Sequence, residues 1–310
     1  MICTITFNPA IDLVIQVEDF HLGNLNRSKA DHYVVGGKGI NASLVFNRLG
    51  LENIATGFVG GFSGQYIIDK MNEEGIANHF IALDQITRIN VKLKGEQETE
   101  INAKGPEVSE AKFKDLMTYL EGPLQEKDVV FLAGNAAPGL DAQSYIAIAK
   151  LCQKKACYFV LDSNKDLLKA CLPYGPFIIK PNREELSELF EVEIQSQEDL
   201  LHYAKELQKL GAKNVLVSMG GEGSILLTQT GQVYSANVPE GKVLNSVGAG
   251  DSMLAGFISQ YTRTHNFSEA LQMGAACGSA TAFSVGIAEK ELIDHLKTAI
   301  KVKKFKGARE

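Results

Sequence analysis

Short β-rich runs that are apolar on both faces recur along this chain, at Ile2–Phe7, Ile54–Val59, Val129–Ala133, Tyr158–Asp162, Phe177–Lys180 and Val215–Met219. Between them lie patterns of helical period, at Asn41–Leu49, Gln65–Glu74, Ala111–Leu120, Gln143–Lys154, Glu184–Phe190 and Glu198–Leu210. Gly50, Gly75 and Gly211 stand where a helix C′ residue takes positive φ. Strands buried on both faces and alternating with helices predict an α/β fold. Its central sheet is mainly parallel and covered on both sides, which makes a three-layer sandwich.

Two stretches break the rhythm. Asp12–Tyr33 and Arg88–Asn102 alternate polar and apolar residues without helical period. Arg88–Lys94 has period two, Gly95-Glu96-Gln97 reads as a turn, and Glu98–Asn102 as the return strand. Together they predict a small β-sheet with one wet face, a lid built from about 12–33 and 88–102 within a single domain spanning 1–310. Open edges on such a sheet suit self-association, so a homodimer through the lid is expected. Ile225–Thr228 and Val233–Ala236 read as a second hairpin around Gly231. After Asp251 three helices are expected, at Ser252–Thr262, Ser268–Ser284 and Glu289–Ile300, and the basic tail Lys301–Lys306 reads as solvated.

Composition narrows the classes. Hydrophobic residues are 45% and the formal net charge is −6. The first allows a large core and excludes a mainly disordered chain; the second argues against a nucleic-acid or membrane-surface partner. No apolar run approaches the ~20 residues that span a bilayer. The first residues, Met1–Pro9, lack the basic start of a secretory signal. The five cysteines have no CxxC spacing and read as reduced, mostly buried thiols of a cytoplasmic protein. The six histidines are scattered and predict no zinc site.

The 29 glycines cluster, and the clusters carry the chemistry. Gly36-Gly37-Lys38-Gly39-Ile40-Asn41-Ala42 lies between strand-like Tyr33–Val35 and a helix. Lys38 is followed by glycine, so the loop fails as a P-loop. Gly37-x-Gly39-x-x-Ala42 loosely fits a dinucleotide fingerprint but lacks the acid that should follow about 20 residues on. A sugar or phosphate loop, with Lys38 as charge and Asn41 as hydroxyl partner, and a purely structural turn stay open. Asn245–Ser252 contains Gly248, Ala249 and Gly250 before a strong helix. Their amides, aided by the helix dipole, can cradle an anion. Asp251 is then either an ordinary N-cap or a base aimed at an acceptor.

Two further pieces sit at strand ends, where ligands of α/β sheets bind. In Lys180-Pro181-Asn182-Arg183-Glu184-Glu185, Asn182 and Glu185 share a helix face. They suit Mg²⁺ waters or a nucleotide phosphate, or form a capping pair. Ser218-Met219-Gly220-Gly221-Glu222-Gly223 follows the next strand.

In this order and spacing the four segments resemble the ribokinase-like, phosphofructokinase-B family of sugar kinases over essentially the whole chain. Asn8–Asp12 and Thr87–Leu93 resemble its branch that acts on phosphorylated hexoses. The resemblance implies ATP and Mg²⁺, and transfer to the C6 hydroxyl of fructose 1-phosphate, with tagatose 6-phosphate or another phosphohexose as the alternative acceptor. It implies Asp251 as catalytic base and Gly248, Ala249 and Gly250 as the anion hole. Asp12, Gly36, Gly37 and Asn41 fall to the sugar, and Lys38 and Arg88 to its phosphate. Lys180, Asn182, Ser218, Gly220, Gly221 and Gly223 fall to ATP, and Glu185 with Asn182 to Mg²⁺ through water. Two positions depart from the family's pattern. Asn245 stands where Asp is frequent, and Gly134–Gly139 varies a commoner turn, so no role passes to Asn135.

Overall fold

The computed structural model describes residues 1–305. In chain order the first elements are β1 (Ile2–Thr6), β2 (Ala10–Gln16), β3 (Ala30–Gly36), α1 (Lys38–Arg48), β4 (Ile54–Gly60), α2 (Gly61–Glu73), β5 (Ala77–Leu83), β6 (Arg88–Lys94) and β7 (Thr99–Ile101). Then come α3 (Glu110–Glu121), β8 (Val129–Ala133), α4 (Ala142–Lys155), β9 (Tyr158–Asp162), α5 (Lys165–Cys171), β10 (Ile178–Ile179), α6 (Arg183–Phe190), α7 (Gln197–Lys209) and β11 (Asn214–Ser218). The last are β12 (Ser224–Leu227), β13 (Val233–Ala236), α8 (Ala249–Thr264), α9 (Phe267–Ala282), α10 (Lys290–Lys297) and β14 (Val302–Phe305).

The main sheet is ten-stranded, in the order β14-β13-β12-β11-β10-β9-β8-β1-β4-β5. From β11 to β5 every pairing is parallel, and β12, β13 and β14 add an antiparallel edge. β8 shows why both faces had to be apolar. Val130 and Leu132 enter the core formed with α3 to α7, while Val129, Phe131 and Ala133 enter the core formed with α1, α8, α9 and α10. α2 packs its Ile67 and Met71 against Ile40 and Leu44 of α1 in a third cluster. The expected three-layer α/β sandwich is therefore what the chain builds.

β3, β2, β6 and β7 form a separate four-stranded sheet. β2 pairs β3 antiparallel and β6 in parallel, with Asp12 opposite both Val34 and Asn90. The strands begin at Ala10 and close at Gly36, and residues 17–29 between them are not strand. That connection exposes Leu22 at 92% and Leu25 at 83%.

The basic tail corrects an expectation. Val302–Phe305 is not a free solvated end but pairs antiparallel with β13, Ala236 facing Val302. β13 would otherwise present a row of unpaired backbone groups, and the tail's lysines keep the new outer edge charged. Lys306 lies outside the described residues. No helix among those described is long and apolar enough to cross a membrane.

Candidate active site

A cleft of about 1100 Å³ opens between the small sheet and the C-terminal ends of the parallel strands. Asp12, Gly36, Gly37, Lys38, Asn41, Arg88, Lys180, Asn182, Glu185, Gly248, Gly250 and Asp251 all line it. Ala249 does not, and neither do Ser218, Gly220, Gly221 and Gly223, which sit at the neighbouring end of β11. Ser218 is joined to Asn182 of the cleft wall by an isolated bridge.

The first glycine loop starts α1 a turn earlier than the periodicity suggested. Gly37 takes φ 129° and its carbonyl accepts the Asn41 amide at 2.9 Å, so Lys38 is already helical. Gly39 packs so tightly on β1 that a Cβ would strike Thr6 Oγ1 and the Ile5 carbonyl. One turn of α1 therefore carries both Lys38 and Asn41 toward the cleft. Beside it, Gly36 leaves room for Asp12, since a Cβ there would lie 2.9 Å from Asp12 Oδ2. Asp12 Oδ1 accepts the Asn90 amide at 2.7 Å, and Asn90 Oδ1 accepts the Ala103 N–H at 3.0 Å.

The second glycine loop opens α8 without a side-chain cap. Gly248 sits at φ 80°, where glycine alone is unstrained, and Ala249 turns its amide to the Ser246 carbonyl at 3.2 Å. Among the described residues the amides of Gly250 and Asp251 find no acceptor, which leaves donors at the positive end of a 16-residue helix. Asp251 does not cap. It is the third helical residue, buried, and its Oδ2 accepts the Asn41 Nδ2–H at 2.8 Å. Burial first, and then the charge of Asp162, push its carboxyl up to about 6; Lys38, the Asn41 bond and Lys180 pull the other way.

Asn245 has a defined place. Its Nδ2 donates to the Val285 carbonyl at 3.1 Å and its Oδ1 accepts the Val247 N–H at 3.1 Å. The amide thus ties the loop before the anion cradle to the loop after α9.

Arg88 spends much of its guanidinium on backbone. Nη2 donates to the Asn8 carbonyl at 2.8 Å, Nε to the same oxygen at 3.2 Å, and Nη1 to the Ala103 carbonyl at 3.2 Å. One N–H on each terminal nitrogen remains for a ligand. Asn182 and Glu185 form a reciprocal capping box at α6. Asn182 Oδ1 accepts the Glu185 N–H at 2.7 Å, and Glu185 Oε2 accepts the Asn182 N–H at 2.8 Å. The capping pair is formed, and among the described residues Glu185 Oε1 and Asn182 Nδ2 have no hydrogen-bond partner, so capping does not use up the pair at the cleft wall. Among the described residues no three His, Cys, Asp or Glu side chains converge on a metal cage. One carboxylate and one amide suit a hydrated Mg²⁺ carried on nucleotide phosphates, which keeps most of its waters. Gly220 and Gly221 are exposed, with open space where a Cβ would stand, whereas Gly223 is dictated by the Ala236 carbonyl pressed against it.

Two residues of the site escaped sequence reasoning, Asn90 in the cleft lining and Asp162 just behind it. Asn90 shares the period-two face of Arg88, a signal that could have found it. Asp162, at the C-terminal end of β9, binds Lys38 Nζ at 3.0 Å and lies 3.6 Å from Lys180 Nζ. Its only sequence signal was a carboxylate closing a buried parallel strand.

A model of the pfkB carbohydrate kinase family matches residues 5–293. The chain is 43% identical over 302 residues to the 1-phosphofructokinase of Bacillus subtilis, covering 97% of this chain and 99% of that protein. It is 34% identical over 303 residues to the D-tagatose-1-phosphate kinase of Bacillus licheniformis, covering 97% and 99%. A Staphylococcus aureus crystal structure described as a phosphofructokinase superposes with a TM-score of 0.88 at 40% identity, covering 99% of this chain and all of that one.

Proposed function

The chain belongs to the pfkB family of carbohydrate kinases, and on that premise we propose that it transfers the γ-phosphoryl group of ATP to the C6 hydroxyl of fructose 1-phosphate, giving the 1,6-bisphosphate. It is a sugar-phosphate kinase, and the full-length relation to the Bacillus subtilis enzyme supports this acceptor over others. One observation carries the chemistry: a buried carboxylate, Asp251, faces the cleft beside the uncapped amides of its own helix.

The roles follow from position. Asp12, held by Asn90 and framed by Gly36 and Gly37, accepts hydrogen bonds from sugar hydroxyls, and Asn41 adds a second polar contact. Arg88, with Lys38 at the loop, offers cation to the phosphate already on the sugar. Asp251 takes the C6 hydroxyl proton as that oxygen attacks phosphorus. Its raised pKa makes it a better base than an exposed aspartate, yet leaves it mostly ionised at neutral pH. The free amides of Gly250 and Asp251, with Gly248 beside them, present backbone donors to the charge spreading over the migrating group, the largest lever available in phosphoryl transfer, while Ala249, its amide held by the Ser246 carbonyl, shapes the turn. Lys180 adds positive charge at the same spot. Asn182, Ser218, Gly220, Gly221 and Gly223 form the nucleotide side. Mg²⁺, when bound, neutralises nucleotide phosphate charge; Asn182 and Glu185 would hold it through its waters.

The small sheet serves as a lid that excludes water during transfer. Its exposed Ile101 and the Leu22 and Leu25 connection favour a homodimer through the lids, which sedimentation at micromolar concentration tests. The reading puts the enzyme in the cytoplasm, the compartment that supplies ATP.

The 34% identity to a tagatose-1-phosphate kinase favours a second acceptor with the same C1 phosphate. ADP release measured over fructose 1-phosphate, fructose 6-phosphate, tagatose 1-phosphate, tagatose 6-phosphate and ribose separates these. Fructose 1-phosphate is expected to give the highest kcat/KM. A higher value with either tagatose phosphate replaces the acceptor, and turnover of ribose alone removes the phosphosugar assignment.

A further inference from the structure

Asp162 belongs to none of the four glycine or strand-end motifs, yet its side chain, 3% exposed, is a buried charge directly behind the cleft, on a smaller cavity that shares Lys180 and Glu185 with it. The end of β9 holds its backbone firmly, with its carbonyl accepting the Gly134 N–H at 2.9 Å. Its Oδ1 accepts from Lys38 Nζ at 3.0 Å. Its Oδ2 faces Lys180 Nζ at 3.6 Å and has no hydrogen-bond partner among the described residues. The Lys180 side chain is itself 6% exposed. A Cβ on Gly250 would come within 2.9 Å of Lys180 Nζ, so that ammonium abuts the first turn of α8, where the free amides are.

Two ammonium groups cannot be sunk side by side into a cleft floor without a counter-ion. Lys180 is nearly buried and Lys38, its side chain 37% exposed, only partly so, but each loses water there and each repels the other. Asp162 is that counter-ion, and because it touches both it also sets where both point. With Asp251 the group carries two positive and two negative charges, and Glu185 nearby adds a further negative charge that Lys38 feels. A pair of lysines pinned in this way needs little reorganisation when negative charge arrives.

We propose that Asp162 is a positioning residue for the transfer. It holds Lys38 and Lys180 as a pair flanking the path of the migrating phosphoryl group, so that Lys38 serves the transferred group as well as the sugar. The inference rests on the kinase reading above and adds a residue to it. Asp162 is also one of the charges that Asp251 feels, the others being Lys38 and Lys180, with Asn41 as hydrogen-bond donor.

The test compares wild type, Asp162→Asn and Asp162→Glu. The Asn variant should lose about 100-fold in kcat, with KM for fructose 1-phosphate little changed. The acid limb of its pH profile should move to lower pH, because a charge that raises the Asp251 pKa is gone. The Glu variant keeps the charge, and hence the fold, but displaces the lysines. It should lose turnover with the acid limb in place. A second readout needs no turnover: labelling of Lys38 by trinitrobenzenesulfonate, read by mass spectrometry, should rise in Asp162→Asn. Unchanged kcat, unchanged labelling, or a fall in melting temperature as the only effect would overturn the proposal. Altered Lys38 labelling in a protein that phosphorylates no sugar phosphate would overturn the proposed reaction instead, leaving the lysine clamp supported.

Discussion

The Asn41 amide donates to the Asp251 carboxylate across 2.8 Å, joining residues 210 apart in the chain. One comes from the first turn of α1 and the other from the first turn of α8, so the bond locks two glycine-led helix starts into one site. It also removes the bland reading of Asp251, whose carboxylate addresses the cleft and not its own amides.

Asp251→Asn should reduce kcat by about 10³-fold or more while sugar binding persists. A coupled ADP assay and calorimetric titration with fructose 1-phosphate measure the two separately. Near-normal turnover would remove the base assignment.

The same substitution should stabilise the protein, and only at higher pH. The carboxyl is pushed from 3.8 to about 6 by burial and by Asp162. A raised carboxylate favours the fold when protonated, and that advantage is full below the unfolded value and lost as pH rises through the folded one. The ionised form thus costs about 3 kcal/mol above pH ~6. Melting of Asp251→Asn should exceed wild type at pH 8 and match it near pH 4. Activity runs the opposite way, with kcat falling as pH drops through about 6.

Asn41→Ala removes a bond that holds the Asp251 pKa down. The acid limb of kcat should therefore shift to higher pH, and kcat at pH 7 should fall about tenfold. An unmoved limb in a pH series would show that the bond does not report on the base.

Arg88→Ala should raise KM for the phosphorylated sugar by about 100-fold, the scale of one charge-assisted bidentate contact. Because Arg88 also ties the Asn8 and Ala103 carbonyls together, the melting temperature should drop as well. Arg88→Lys tells the two effects apart, since a lysine restores charge but not the fork.

Glu185→Gln keeps an oxygen to accept the Asn182 amide, so α6 should stay capped. Losing the charge should raise the Mg²⁺ concentration for half-maximal rate about tenfold, measured against EDTA-buffered Mg²⁺. No change would move the metal role elsewhere.

Much of this site was legible because glycine is informative where backbone must do chemistry. Gly36-Gly37-Lys38 and Gly248-Ala249-Gly250 sit where φ or close approach excludes other residues, and that is visible in one dimension. Buried strands such as β8 were legible for the same kind of reason: only a two-sided core needs Val129–Ala133 to be apolar throughout. What stayed hidden depends on distant partners. β5 is a half-exposed edge strand whose Ala77–Leu83 pattern looks like ordinary surface. α5, at Lys165–Cys171, is too short for a clear period. β14 becomes a strand because β13 has an open edge, a fact stored 60-odd residues upstream. Asp162 gains meaning only when Lys38 and Lys180 are brought to it, and nothing in its neighbours in sequence announces two lysines.

β1 lies in the interior of the main sheet, flanked by β4 and β8. Because β1 precedes β8 in the chain, it has an unfilled flank until Val129–Ala133 has also emerged from the ribosome, and the reaction floor cannot form until α8 arrives later still. Biosynthesis of this enzyme must carry a sticky, half-assembled slab for most of its translation, so its yield in the cell should be sensitive to chaperone supply and growth temperature well before the finished molecule is thermally challenged.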